Sequence, residues 1–398
     1  MEKFNWKPLL LACLIVSIGQ LSLGLVFPSL PWIARDLSIT TDQTQLLVSG
    51  YLLMFGSSQL IYGPLSDVFG RRPILLIGLS IAIIGLVVAV CNSDNFSGLL
   101  AGRIMQGFGA GSVGVLARAT MRDSYQNQSF VKAMTWVSIV AAFTPIIGPV
   151  IGGMVNHYLG WQSVFILLLA YISCIWLILI FFFKETLAAT SRPQSVSTLA
   201  LSYFSLFRER HFMSFAGIGW VNFTLVVISI SLMPFIMQVQ IGMDSDEYAL
   251  WAMIPAIGLL CGGLLCQRIR PRLGTMKVLQ LTPFIHVVSG IIFIFVPLSP
   301  VTVSAGHFLL AMANGMAFPC AQSLLLLPYA KKAGTVSALS GACQMIIASL
   351  ISSFLLHIGI SQLWHLGLVM FGAAILGLAL IYSGSHLDSG REAAAALN

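Results

Sequence analysis

Charge is scarce in this chain. Asp, Glu, Lys and Arg make up 8% of its 398 residues, whereas about a quarter is usual in soluble domains. With 58% hydrophobic residues and a mean hydropathy of +0.93, that scarcity excludes a soluble globular protein. No Gly-x-x-x-x-Gly-Lys-Ser/Thr loop occurs, so the chain lacks a phosphate cradle through which ATP could drive it directly. Metalloprotease-helix and nucleophile-elbow patterns are missing too, so no enzyme, cofactor or metal site is expected. The seven cysteines are odd in number and show no metal-ligand spacing. They read as small buried hydrophobes in apolar helices, with no disulfide framework.

What fills the chain instead is a series of twelve apolar stretches, each near the length a helix needs to cross a bilayer. They fall near residues 9–33, 44–66, 73–91, 97–118, 131–156, 161–183, 212–239, 247–269, 276–297, 301–327, 334–358 and 363–383. The first resembles a signal peptide only in its leading Lys3 and Lys7; it is too long, and no small-residue cleavage pattern follows. A net charge of +7 would suggest nucleic acid in a soluble protein. Here topology accounts for it and no nucleic-acid partner is expected. With the N-terminus inside, alternate loops collect every basic residue except Arg35 and Arg103, including Lys3, Arg192, Lys331 and Arg391. Both termini are therefore expected in the cytoplasm.

The stretches divide six and six. The expected parts are an N-terminal bundle (1–184), a linker (185–211), a C-terminal bundle (212–383) and a tail (384–398). In the linker, after Pro193, Leu199, Tyr203, Phe207 and Arg210 recur at helical spacing, which predicts an interfacial amphipathic helix. The halves echo each other weakly: Met105-Gln106-Gly107 has a partial counterpart in Ala313-Asn314-Gly315, and Arg268–Arg272 before Gly274 sits where a worn copy of an earlier basic loop would fall.

That earlier loop is Gly63-Pro-Leu-Ser-Asp67-Val-Phe-Gly70-Arg71-Arg72-Pro73, between the second and third stretches. Gly63 allows close approach of a neighbour, Gly70 suits a turn with positive φ, and Asp67 can accept from helix N-terminal amides. The pattern resembles the loop between helices 2 and 3 of the major facilitator superfamily. The resemblance implies an all-α membrane protein of twelve transmembrane helices in two pseudo-symmetric six-helix bundles. It also implies that Asp123 pairs with Arg72, and Asp67 with the start of the eleventh helix near Gly334, as a conformational gate.

Two further segments carry the resemblance. In the fourth stretch, Leu99-x-x-x-Arg103-x-x-Gln106-Gly107 places a charge inside a membrane helix, where it is costly and normally faces a polar interior. Gly107 and Gly111 form a smooth packing stripe. The segment is similar to a family signature whose arginine is associated with proton transfer; packing against carbonyls is the other reading. In the fifth stretch, Pro145-Ile-Ile-Gly148-Pro149-Val-Ile-Gly152-Gly153 resembles the Gly-Pro-x-x-Gly-Gly signature of the superfamily's exporters, with Thr144 where that pattern often starts with glycine. Gly148 and Gly152 are expected to let the two halves meet closely.

In the first stretch, Phe27-Pro28-Ser29-Leu30-Pro31 and Ala34-Arg35-Asp36-Leu37 are similar to the Bcr/CflA drug:proton antiporter group, the EmrD type included. Many of those proteins carry an aspartate four positions before the proline. Here that position is Gly24, and no Asp or Glu lies in the middle of any apolar stretch. Polar groups at depth are Gln20, Arg103, Gln106, Asn222, His286, His307, Asn314 and Gln344. His286 reads as a neutral packed residue; His307 lies on a helix that lines the cavity in this family. Proton coupling would otherwise fall to Asp36, Asp67, Asp123 or the substrate itself. Phe27, Tyr51, Trp136, Phe223 and Trp251 are candidate aromatic liners.

The expected function is export of amphipathic, lipophilic drugs across a bacterial inner membrane by alternating access, in exchange for protons, by a monomer embedded in the lipid bilayer. An apolar cavity with few polar groups suits varied ligands. A specific metabolite carrier of the same fold, or a non-transporting membrane receptor or scaffold, stands as the alternative. The breadth of competing substrates separates the carriers, and ligand-dependent efflux separates either from the scaffold.

Overall fold

The computed structural model describes residues 5–187 and 196–395. Lys3, Arg192 and Pro193 lie outside the described residues, as do the side chains of Leu199, Lys331 and Arg391. Among the described residues, twelve helices are long and apolar enough to cross a membrane: α1 (Trp6–Asp36), α2 (Thr41–Phe69), α3 (Arg71–Cys91), α4 (Phe96–Ser124), α5 (Gln128–Leu159), α6 (Trp161–Phe182), α7 (Arg210–Gln240), α8 (Ser245–Leu273), α9 (Thr275–Phe295), α10 (Pro300–Tyr329), α11 (Ala333–His357) and α12 (Leu363–Ser385). Several run a turn or so beyond the apolar stretches, because polar caps carry the helix past the apolar core. Thr40 and Gln43 form a reciprocal capping box at α2, and Asn95 and Ser299 cap α4 and α10. The last helix continues to Ala395, well past the expected end at 383.

Breaks in the helices follow proline and glycine. A 3-10 turn at Phe27–Ser29 interrupts α1 beside Pro28, and a π turn at Phe235–Gln240 follows Pro234 in α7. Gly70 separates α2 from α3 at φ +100°, and Gly274 separates α8 from α9 at φ +82°. The worn copy of the basic loop therefore keeps its turn. In the linker, Val196–Phe207 is helical as its periodicity predicts. Leu206 is buried while Leu201, Phe204 and Phe207 are exposed.

The chain forms two compact units. One holds α1–α6 together with Met243–Leu250, which includes the first turns of α8; the other holds the linker helix from Ser197, α7, α8 from Trp251, and α9–α12. Each unit uses the same helix pairs. In the first, α4 packs on α2, α3 and α1, α1 on α5, and α3 on α6. In the second, α10 packs on α8, α9 and α7, and α9 on α12. One glycine holds the same place in both: a Cβ on Gly107 would strike the backbone of Tyr51 in α2, and one on Gly315 the backbone of Leu259 in α8. Asn314 follows the pattern of Gln106, while Ala311 stands where Arg103 would be. Among the described residues, an arginine buried at this place occurs in the first unit alone.

Large apolar side chains such as Phe181, Leu264 and Ile375 remain exposed on the helices, which suits contact with lipid acyl chains. The cysteines divide rather than burying uniformly. Cys266, Cys320 and Cys343 are buried, Cys13 and Cys261 half-buried, and Cys91 and Cys174 exposed on apolar helix surface. Composition alone does not tell a core-facing from a lipid-facing helix side.

Candidate functional site

The glycines of α4 bring its backbone against α2 closely enough to enclose Arg103. Gly107 and Gly111 both abut α2, the latter at Ser58 and Phe55, so the expected smooth stripe exists. Arg103 is 0% exposed. Its Nε donates to the Leu47 carbonyl at 3.1 Å, and its Nη1 to the Ser22 carbonyl at 3.1 Å and to Gln106 Oε1 at 2.7 Å. Gln106 Nε2 donates in turn to Ser22 Oγ at 3.2 Å, and the guanidinium lies 4.5 Å from the centre of the Tyr51 ring. Nη2 has no partner. A guanidinium at the centre of a membrane helix costs about 3 kcal/mol or more, and here carbonyl oxygens and a ring face offset it without an acid. The arginine is a buried cross-brace of α1, α2 and α4 with the two N–H donors of Nη2 to spare.

The aromatic and polar candidates have different surroundings within each unit. Tyr51 belongs to the Arg103 cluster, and Phe27 is buried in the 3-10 turn of α1. Gln20, Phe223 and Asn314 are half-buried. Trp136 is 43% exposed and sits edge-on to Trp6, 6.3 Å away, with the Lys132 ammonium over Trp6. That contact places it beside the first turn of α1, away from the Arg103 cluster. In the second unit, Asn222 and Gln344 are buried; Asn222 donates to the Ile218 carbonyl and leaves its own Oδ1 unpartnered.

At the turn between α2 and α3, Arg71 is the hub. Only 3% of its side chain is exposed; Nη1 meets Asp67 at 2.6 Å and Ser66 Oγ at 2.6 Å, and Nε meets Asp123 Oδ2 at 2.9 Å. Asp123 thus pairs with Arg71 and not with Arg72. Successive side chains on the first turn of a helix diverge by about 100°, and Arg72 instead donates to the Ile180 carbonyl of α6 at 2.7 Å. Gly63 also differs from expectation. A Cβ there would rest 3.6 Å from Val115, an ordinary contact, so close approach does not require the glycine.

Glu185 completes this corner without any signal in the motif itself. Its carboxylate accepts from the amides of Arg71 (2.9 Å) and Arg72 (3.1 Å), capping α3, and from those of Thr186 and Leu187. Partial burial pushes its carboxyl up, but the four amides outweigh that and hold it below the usual carboxylate range. The only sequence hint was an acid just past the end of the sixth apolar stretch.

In α5, Gly148 and Gly152 pack inside the first unit, against α1. A Cβ on Gly24 would stand 3.2 Å from the Gly148 Cα, and one on Gly152 would enter the Leu25 carbonyl. Gly153, the next residue of the signature, faces Ser245 and Ala249. Ser245 is wholly buried and its Oγ accepts from Trp32 Nε1 (2.6 Å) and Asn156 Nδ2 (2.7 Å). His157 approaches Asp246 at 3.3 Å. Asp36 accepts from Trp161 Nε1 at 2.6 Å.

Known proteins agree with this architecture. A family model described as Major Facilitator Superfamily matches residues 12–353. The chain is 27% identical over 387 residues to Multidrug resistance protein D of Escherichia coli (strain K12), covering 95% of this chain and 94% of that protein. It is 26% identical over 372 residues to Multidrug resistance protein MdtL of Citrobacter koseri, covering 92% and 93%. A solved structure of a bacterial homologue of the human lysosomal transporter Spinster, in an inward-facing and unoccupied conformation, superposes with a TM-score of 0.75 at 17% identity, over 97% of this chain and 98% of that one.

Proposed function

Because the chain belongs to the Major Facilitator Superfamily, we propose that this multi-pass membrane transporter is an exporter of amphipathic, lipophilic compounds that exchanges them for protons. It would work by alternating access, as a monomer in a bacterial inner membrane with both termini in the cytoplasm. Relatives named multidrug resistance proteins, matched along nearly the whole chain, support this reading. The observation that carries it is the seating of Gly148, Pro149 and Gly152 of α5 against Gly24 and Leu25 of α1. The exporter-like signature is thereby an engaged packing device and not a chance run of small residues.

In this reading the corner around Arg71, Asp67, Asp123 and Glu185, with Gly70 and Arg72, controls conformational exchange. Gln20, Phe27, Tyr51, Asn222, Phe223, Asn314 and Gln344 serve the substrate path. Arg103 and Gln106 set its potential. With no acid beside it, the arginine disfavours permanently cationic cargo relative to neutral, zwitterionic or weakly acidic lipophiles. The test is uptake of neutral and cationic dyes into everted vesicles under an imposed pH gradient. Gradient-dependent accumulation of several unrelated dyes supports the reading. Transport of a single metabolite, or dye movement that ignores the imposed gradient, overturns it.

A further inference from the structure

An exporter that runs on protons needs a group that takes one up within the membrane, and the usual acids are engaged elsewhere. Gly24 is closed over by Gly148, Asp36 is held by Trp161, and Asp67 and Asp123 are held by Arg71. All three acids lie at helix ends. Two histidines remain at depth, His286 in α9 and His307 in α10, and both are buried.

Their surroundings differ in one decisive respect. His307 Nδ1 is 2.6 Å from the Val303 carbonyl and its Nε2 is 3.3 Å from the Ser229 carbonyl of α7. A neutral imidazole has one N–H, so in that form one ring nitrogen turns its lone pair toward a carbonyl lone pair. Imidazolium satisfies both. The neutral form has a donor in the same residue: Ser229, whose carbonyl faces Nε2, also carries a buried Oγ that makes no hydrogen bond. His286, by contrast, leaves Nε2 without any partner, so a second N–H there would be buried and unsatisfied.

The place in the fold strengthens the case. The Arg103 cluster joins α1 to α4 through Ser22, and the equivalent pair in the second unit is α7 with α10, joined through Ser229 and His307. The second unit carries a titratable group one turn before Ala311, the position equivalent to the permanently charged Arg103.

Charge near His307 is remote on every element packed against α10. On α7 it is confined to Arg210 and His211 at the start. On α8, Gly258 meets Phe308; Asp246 and Glu247 lie about three turns before it and Arg268, Arg270 and Arg272 follow it by more than two turns, with Cys261 and Cys266 between. On α9, the Phe293 ring lies 5.0 Å from the imidazole, His286 is two turns away and Lys277 further. On α11 the titratable groups are Cys343 and the terminal His357, and α10 itself adds Cys320 and Tyr329. No neighbouring charge fixes the imidazole in one state.

We propose that His307 is the proton-carrying group of the transporter, alternating between a neutral form that accepts from Ser229 Oγ and a protonated form that donates to the Val303 and Ser229 carbonyls. The inference rests on the proton-exchange reading above. In purified protein, binding of the neutral dye Nile red in weakly buffered detergent is expected to shift proton occupancy in the wild type, and His307→Gln is expected to abolish that shift while keeping the dye affinity within a few-fold. In proteoliposomes His307→Gln should retain gradient-independent dye exchange and lose accumulation driven by a pH gradient. Ser229→Ala, which removes only the neutral form's donor, should move the pH midpoint of transport to higher pH. A coupled wild type whose proton exchange survives His307→Gln, or whose midpoint ignores Ser229→Ala, overturns the inference alone. A wild type with no proton exchange overturns both it and the coupled mechanism.

Discussion

Gly24 and Gly148 touch backbone to backbone: a Cβ on the first would lie 3.2 Å from the Cα of the second, and one on the second 3.0 Å from the Cα of the first. Gly24 is thus a point where α1 crosses α5. Gly24→Asp is therefore expected to lower the melting temperature of the detergent-solubilised protein without adding pH dependence to transport. Overpacking of this kind costs about 1–3 kcal/mol. A well-folded Gly24→Asp protein with new proton coupling would show that α1 and α5 can part at this point.

Gly152 is the more demanding of the two α5 positions, because its Cβ would enter the Leu25 carbonyl and the obstacle is backbone. Gly152→Ala should destabilise more than Gly24→Ala, and Gly152→Leu should abolish export. Melting curves for the three variants give the order. An unchanged melting temperature for Gly152→Leu would mean that the α1–α5 contact is not needed.

The corner at Arg71 should govern rate and not ligand choice. Asp67→Asn and Asp123→Asn each leave Arg71 one carboxylate, whereas the double variant leaves a nearly enclosed guanidinium with none. Each single change is expected to slow every substrate alike with affinities within a few-fold, and the double change to cost more than the sum. Rates and dissociation constants for two unrelated dyes distinguish this from a substrate-specific effect, which would count against a gate.

Glu185 provides a pH test. Its folded carboxyl is held below the ordinary value of 4.5, so its contribution is complete above that value and is lost as pH falls through the lowered folded one. Glu185→Gln should cost about 0.5–1 kcal/mol through the weakened cap on α3. It should also flatten the acid limb of a stability-versus-pH curve below about pH 4.5. An identical acid limb in the variant would remove Glu185 from that role.

Arg103 joins three helices, and hydrogen bonds to a charged group are worth about 1.5–3 kcal/mol each. Arg103→Ala should therefore lose several kcal/mol, roughly 3 or more, and Arg103→Lys should recover only part, since an ammonium cannot reproduce the guanidinium fork. Among variants that remain folded, transport of a cationic dye should rise relative to a neutral one. Equal changes for both dyes would confine the residue to bracing.

Much of the fold was legible because bilayer length, turn glycines and loop charge are local properties. Gly70 has the positive φ its motif predicts, and Gly107 and Gly111 do give α4 its close face. What sequence could not supply was direction. A small-residue stripe announces that some helix will come close, but not that Gly148 and Gly152 meet α1. Two adjacent arginines look alike until the first turn of α3 sends Arg71 to Asp123 and Arg72 to Ile180. Glu185, Ser245 and Ser229 carry no motif, since each matters through a partner distant in the chain.

The seat of Ser245 also bears on how the molecule can be divided. Residues 243–250 follow α7 in the chain yet belong to the compact body of the first six helices. A fragment ending in the linker would lose the hydroxyl that Trp32 and Asn156 both use and the small surface that Gly153 requires. Halves expressed from separate reading frames, cut between α6 and α7, would thus not be self-sufficient pieces. The N-terminal fragment would depend on its complement for a finished outer edge of α1 and α5, which makes co-expression, and not separate refolding followed by mixing, the workable route to a split transporter.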